Sequence, residues 1–289
     1  MKYATIRLDD KPVVCIVDSD QGLYWPVSEV LPGTDFTMKQ VIEEHTQIAS
    51  QFVAGAGGHR LEDAELLAPI QRPHRNIFCV GRNYHAHAKE LSASVFKDND
   101  KNVKSWPIVF TKVPECVVGP GHPVELPSGV SQQIDYEAEL AIIIGKGGKN
   151  ISSEEAMSHV FGYTIVNDVT ARDVQMRHQQ WDLGKSFDTF CPMGPWIVTA
   201  DELDGSNTRV RCWVNGELRQ DGATPDLIFD LPSLIETCSR GITLYPGDII
   251  ATGTPAGVGM GMDPPEYLKA GDVVRIEVDG IGTLENTFR

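Results

Sequence analysis

Positive charge is in short supply. The chain carries 25 lysines and arginines against 40 aspartates and glutamates, for a formal net charge of −15. A nucleic-acid binder needs a basic footprint, so this balance excludes that class and argues equally against docking on an anionic membrane surface. Long apolar runs are missing too. None approaches the roughly 20 residues that a membrane-spanning helix requires, and Met1-Lys2-Tyr3-Ala4-Thr5 lacks the apolar core of a secretory leader. The six cysteines (Cys15, Cys79, Cys116, Cys191, Cys212 and Cys238) are scattered, with no Cys-x-x-Cys pair. That pattern disfavours a cysteine zinc site and a disulfide framework, and fits reduced structural thiols. Internal repeats and low-complexity tails are absent. These absences leave a cytoplasmic globular protein with small-molecule partners. An anionic substrate is still allowed, because a site can be basic locally.

At 289 residues, 41% hydrophobic, the chain can bury a sizeable core. Residues 1–70 read as a small N-terminal unit. Lys2–Leu8 and Val13–Val17 are β-like runs joined by the turn signal Asp9-Asp10-Lys11-Pro12, and a helix-like stretch, Met38–Val53, ends at Gly55, Gly57 and Gly58. Nothing there carries chemistry, which marks it as a structural or dimer-shaping appendage. The main unit is residues 71–289. In it Asn76–Val80 reads as a buried strand, Asn83 is placed to cap a helix from Tyr84 to about Ser94, and Lys97–Asn102 is a polar loop. Ile108–Thr111 and Tyr163–Val169 read as strands. Ser152 with Glu155 has the spacing of a capping box, and Thr170 precedes a helix from Ala171 to about Gln179. The C-terminal part is mostly β, with Asn215-Gly216 as a hairpin signal and one helix, about Pro232–Ser239, stopped by Gly241. Strands do not alternate regularly with helices, so a sheet-dominated α+β fold is expected over a doubly wound one.

The stretch Ile134 to Leu140 runs into the β-branched Ala141–Ile144, and on a strand Asp135, Glu137 and Glu139 would share one face. At about 6 Å and an effective dielectric of about 20, each ionised pair costs about 3 kcal/mol. Either that face lies in water or a cation holds the acids together. With Asp168 at the end of another strand, Glu137 and Glu139 make a set of hard oxygen donors that suits Mg²⁺, Mn²⁺ or Ca²⁺. His87 and Glu90, at i and i+3 of a helix, are either a surface pair or a polarised general base. Arg172 and Gln175 are either ordinary surface groups or a grip on a carboxylate, and Lys185 could steady an enolate. The glycine runs 145–148 and 257–261 lack the spacing of a phosphate or dinucleotide loop and read as turns.

Taken in order, Gly81-Arg82-Asn83-Tyr84 with His87 and Glu90, Asp135-Tyr136-Glu137-Ala138-Glu139-Leu140, Asn167-Asp168-Val169-Thr170-Ala171-Arg172-Asp173-Val174-Gln175, Gly184-Lys185-Ser186-Phe187-Asp188 and Thr252-Gly253-Thr254-Pro255 closely resemble the fumarylacetoacetate hydrolase (FAH) family, in particular its short members. The resemblance covers roughly residues 75–289. It implies a mixed β-roll, usually dimeric, with Mg²⁺ or Mn²⁺ held by Glu137, Glu139 and Asp168 and with Asp135 outside the ligand set. It makes His87 and Glu90 the catalytic dyad and Lys185 the enolate-stabilising cation, and it puts Arg172, Gln175 and Thr254, with Arg82 and Tyr84, near the substrate. A further acidic ligand of the full-length tyrosine-pathway hydrolase has no counterpart in Phe78-Cys79-Val80-Gly81, so water fills the remaining positions.

The activity so implied is hydrolysis of an acylpyruvate. A 2-oxo acid chelates the metal, His87 activates water, and the C–C bond breaks to leave a pyruvate enolate facing Lys185. The same electron sink serves decarboxylation of a 2-oxo diacid, of the oxaloacetate type, or a keto–enol isomerisation such as that of 2-hydroxyhepta-2,4-diene-1,7-dioate. A metal-binding protein without catalysis is the reading from another class, and His87, Glu90 and Lys185 argue against it. The segment from Tyr84 to about Lys104 is expected to close over the metal, with His87 remote from it until a ligand binds.

Overall fold

The computed structural model describes residues 1–53, 57–94, 106–177 and 179–289. Lys2–Leu8 and Lys11–Asp18 pair antiparallel from Lys2↔Val17 to Leu8↔Lys11, across a turn in which Asp9 and Asp10 have φ of +48° and +60°. A turn of that hand matches the twist of paired strands. Leu23–Pro26 and His59–Arg60 extend the meander. The helical stretch of this part is two helices, Met38–Glu43 and His45–Gln51, the first held by a full capping box between Thr37 and Gln40. Lys2 and Tyr3 also pair with Val198 and Ile197 of the strand Cys191–Thr199, which makes the meander continuous with the main sheet.

That sheet continues through Val160–Asn167, Ala138–Ile144, Ile249–Ala251, Ile77–Gly81 and Ile108–Lys112. Along this path every pair is antiparallel except Ile249–Ala251 with Ile77–Gly81. Ala138–Ile144 lies at its heart, with all seven residues buried. A strand covered on both faces favours apolar residues on both, which is why Leu140–Ile144 reads as a continuous run and not an alternation; Glu139 is the exception, and it belongs to the site. Each isoleucine so buried contributes about 1.5–3 kcal/mol relative to leaving it in water.

A second, four-stranded antiparallel sheet has the order Glu217–Ala223, Arg209–Val214, Val273–Val278, Gly282–Thr287. Its hairpin turns at Asn215 and Gly216, with φ of +51° and +83° as the Asn-Gly pair demands. The helix Leu231–Ser239 buries Leu231, Leu234, Ile235 and Cys238, one face of a 3.6-residue period, and Asp230 caps it through Ser233 N. The whole is a sheet-dominated α+β fold. Among the described residues no helix is long and apolar enough to cross a membrane.

Several local expectations yield to tertiary contacts. Ser152 makes no side-chain cap to its helix. Thr170 and Ala171 form a short strand against Ile134–Asp135, and the helix that follows is only Arg172–Gln175. Asn83 does not cap the helix His85–Ser94. Its amide bonds the carbonyls of Thr252 (2.8 Å) and Phe229 (3.0 Å) and accepts from Phe229 N (2.9 Å), pinning three segments together.

Candidate active site

The acidic stretch is two strands, Ile134–Asp135 and Ala138–Ile144, with Tyr136 and Glu137 between them. None of its acids faces water: Asp135, Glu137 and Glu139 are 0%, 6% and 1% exposed. Glu137, Glu139 and Asp168 bring one carboxylate oxygen each to within 4.8 Å of one another. Asp168 follows the strand Val160–Asn167, and its N–H donates to the Glu137 carbonyl at 2.8 Å, so the backbone itself sets two of the acids side by side. Asp135 turns elsewhere. It takes Arg172 Nε at 2.8 Å and the N–H groups of Gly259 and Met260 at 2.7 and 2.9 Å, tying the loop after Thr254 to the acidic strand.

Three buried cations answer these acids. Lys185 Nζ lies 2.8 Å from both Glu137 Oε2 and Asp168 Oδ2. Arg172 NH1 is 2.7 Å from Glu137 Oε1, and Lys112 Nζ is 2.7 Å from Asp168 Oδ1. Four buried carboxylates therefore face three buried cations. Burial alone would raise the Glu137 carboxyl, but Lys185, Arg172 and His87 outweigh it and hold it at about 2. Glu139 goes the other way, pushed well up by burial and then by Asp168 and Glu137, against which Lys185 and the Gly253 N–H at 2.9 Å count for less. The opposite directions have one cause: the cations stand on Glu137 and Asp168 and leave Glu139 short of charge. A divalent ion fits this donor set. It would leave the shell one positive charge in excess, matched to the carboxylate of an incoming acid.

His87 is 2% exposed, and its Nδ1 lies 3.0 Å from Glu90 Oε2. The other Glu90 oxygen accepts from Gly257 N at 3.0 Å. Gly261 packs so closely on this carboxylate that a Cβ there would lie 2.3 Å from it. Gly253, at φ +105°, lets the loop pass where a Cβ would come within 2.7 Å of Asn83 Cβ. Thr254 donates to the Ala138 carbonyl at 2.9 Å and accepts from Gln220 Nε2 at 2.7 Å.

Arg82, His87, Glu137, Glu139, Arg172, Gln175, Lys185 and Thr254 all line one pocket, closed by Phe110 and Trp181. Its open volume is only ≈ 20 Å³, little more than one water. Lys185 sits at the end of the short helix Asp182–Lys185, with Nζ 4.9 Å from the centroid of Phe110. Arg172 NH1 also donates to Gln175 at 3.2 Å, and its other terminal nitrogen is buried without a hydrogen-bond partner among the described residues. Tyr84 is not among the lining side chains; its backbone bridges Leu227. His87 already stands in the pocket with the acids, contrary to the expectation that it is remote. The polar loop Lys97–Asn102 lies outside the described residues. Sequence reasoning missed Lys112, Phe110 and Trp181. For Lys112 a signal existed: Phe110 and Lys112 share the buried face of the strand Ile108–Lys112.

A family model described as fumarylacetoacetate (FAA) hydrolase, C-terminal, matches residues 76–289. The chain is 50% identical over 233 residues to the oxaloacetate tautomerase YisK of Bacillus subtilis, covering 80% of this chain and 75% of that protein. It superposes on a fumarylacetoacetate hydrolase from Exiguobacterium antarcticum with TM-score 0.85 and 43% identity, covering 100% of this chain and 99% of that one. A maleylpyruvate hydrolase from Sphingobium sp., solved with manganese(II) and pyruvate, matches with TM-score 0.81 and 31% identity over 100% of this chain and 98% of that one.

Proposed function

The chain belongs to the fumarylacetoacetate hydrolase family, and on that premise we propose that it is a divalent-metal-dependent enzyme that interconverts the keto and enol forms of a small 2-oxo diacid of the oxaloacetate class. The observation that carries the reading is that Lys185, held on Glu137 and Asp168, and His87, held by Glu90, line one pocket. The tautomerase that is 50% identical over 233 residues supports the substrate class. Hydrolysis of an acylpyruvate, first in the sequence reading, becomes the second, on the strength of the maleylpyruvate hydrolase likeness.

Glu137, Glu139 and Asp168 would hold Mg²⁺ or Mn²⁺ through hard oxygens. The ion, when bound, supplies Lewis acidity toward a 2-oxo carboxylate. Arg172 and Gln175 grip a substrate carboxylate, with Arg82 and Thr254 completing the wall. Glu90 accepts from His87 Nδ1, which leaves Nε2 as the atom that takes a proton from C3 of the keto acid. The electron pair moves onto the 2-oxo oxygen, where the Lys185 ammonium stabilises the charge. Return of the proton to that oxygen gives the enol, and return to C3 gives back the keto acid. Phe110 and Trp181 keep bulk water from the carbanion.

Stopped-flow ultraviolet absorbance of enol oxaloacetate with Mg²⁺ tests this. Relaxation to the keto form is expected to be accelerated, to outpace pyruvate formation, and to stop on chelation. Faster turnover of an acylpyruvate than of oxaloacetate, by kcat/KM, would refute it in favour of hydrolysis.

A further inference from the structure

Lys112 is buried at the end of the strand Ile108–Lys112 and has no part in the chemistry above. Its three ammonium protons have three acceptors: Asp168 Oδ1 at 2.7 Å, the Val169 carbonyl at 3.1 Å and the Lys185 carbonyl. Every donor it owns is used, and the one on Oδ1 fixes the rotation of the Asp168 carboxylate, which turns Oδ2, shared with Lys185 Nζ at 2.8 Å, toward Glu137 and Glu139. The other two acids are restrained in the same way. Arg172 NH1 holds Glu137 Oε1 at 2.7 Å, and Gly253 N holds Glu139 Oε2 at 2.9 Å. Each carboxylate thus has one oxygen held by a fixed group, and the second oxygens of Glu137 and Asp168 take Lys185 Nζ at 2.8 Å, the cation with which an arriving metal ion would share them.

Ca²⁺ takes six to eight oxygens and readily uses both of a carboxylate's, whereas Mg²⁺ takes six singly in near-ideal octahedral geometry, a donor set that Mn²⁺ shares. We infer that Lys112 is a positioning residue that fixes Asp168 as a one-oxygen ligand and thereby sets the site's preference for a small six-coordinate ion over Ca²⁺. The inference rests on Glu137, Glu139 and Asp168 being the metal ligands. Of the three restraints Lys112 is the one open to a clean test. Gly253 acts through its backbone, and Arg172 faces the pocket.

The experiment uses the full chain, with Mn²⁺ binding read by electron paramagnetic resonance and then competed by Ca²⁺. Wild type that binds no Mn²⁺ would overturn the ligand assignment itself, a failure distinct from that of Lys112. With binding established, Lys112→Met is expected to lower the Mn²⁺-over-Ca²⁺ preference by at least about ten-fold, as Asp168 becomes free to present both oxygens. The ratio is the readout because the lost charge acts on both ions alike. Lys112→Gln keeps an N–H donor for Oδ1 and should fall between wild type and Lys112→Met, and it covers the case in which the methionine variant does not fold. A folded variant whose ratio stays within about two-fold of wild type, whatever its Tm, would leave Lys112 a core residue and defeat the inference.

Discussion

Lys185 has two duties that can be separated by experiment. It neutralises Glu137 and Asp168, and in the proposed reaction it faces the developing enolate. Lys185→Met should lower kcat by about 10²–10³-fold, the loss typical of one transition-state donor. It should not weaken Mn²⁺ binding, because a competing cation is gone. Without metal the variant leaves buried carboxylates short of a partner, a change that typically costs about 3–5 kcal/mol. Its Tm should therefore rise on adding Mn²⁺ by more than that of wild type, and equal shifts in a calorimetric comparison would contradict this. Glu137 with Glu139, and Arg172 with Gln175, could be paired from the sequence because their spacing is local, whereas Asp168 and Lys185 joined them through the order of motifs in the family resemblance. Lys112 was not legible, because a lone lysine at a strand end looks like a solvated terminus; only the face it shares with Phe110 told otherwise. Asn83 was misread for a related reason. A cap is a short-range rule, and the carbonyls that win its amide come from Phe229 and Thr252, far along the chain.

Among the elements, the loop from Thr252 to Gly261 does the most positioning. It supports Glu139 through Gly253 N, Glu90 through Gly257 N and Asp135 through the N–H groups of Gly259 and Met260. Gly261 is the sensitive point, since a Cβ there meets the Glu90 carboxyl at 2.3 Å and nothing in its φ forbids a side chain. Gly261→Ala should push Glu90 off His87 and lower kcat by about 10²-fold, within the range of a lost acid–base partner, with little change in Tm. Activity and pH profile both at the wild-type level would mean that the dyad tolerates the shift. This loop carried only two recognisable signals, Thr254 and a run of glycines that excluded a nucleotide loop. Backbone N–H groups do the positioning, and they have no residue signature.

At the scale of the whole molecule, the sequence boundary at residue 70 and the continuity of the sheet pull in different directions. The family match begins at residue 76, yet Tyr3 packs on Phe161 with ring centroids 6.0 Å apart and pairs with Ile197. A chain of residues 71–289 alone would bare the edge of Cys191–Thr199 and the apolar surface beneath it. Bare edges of this kind recruit other strands. That fragment should aggregate on size-exclusion chromatography or melt well below the full chain. A monodisperse fragment with the parent Tm would show the main unit to be self-sufficient.

The bond between Tyr3 and Ile197 also has a consequence in time. Lys11–Asp18 can zip onto Lys2–Leu8 as soon as it is made, and Glu65–Leu67 covers Thr5 to Arg7 soon after. Lys2 and Tyr3 must wait for a partner about 195 residues downstream. At synthesis rates of about 5–20 residues per second that is a delay of roughly 10–40 s, during which one side of Lys2 and Tyr3 has no strand beside it.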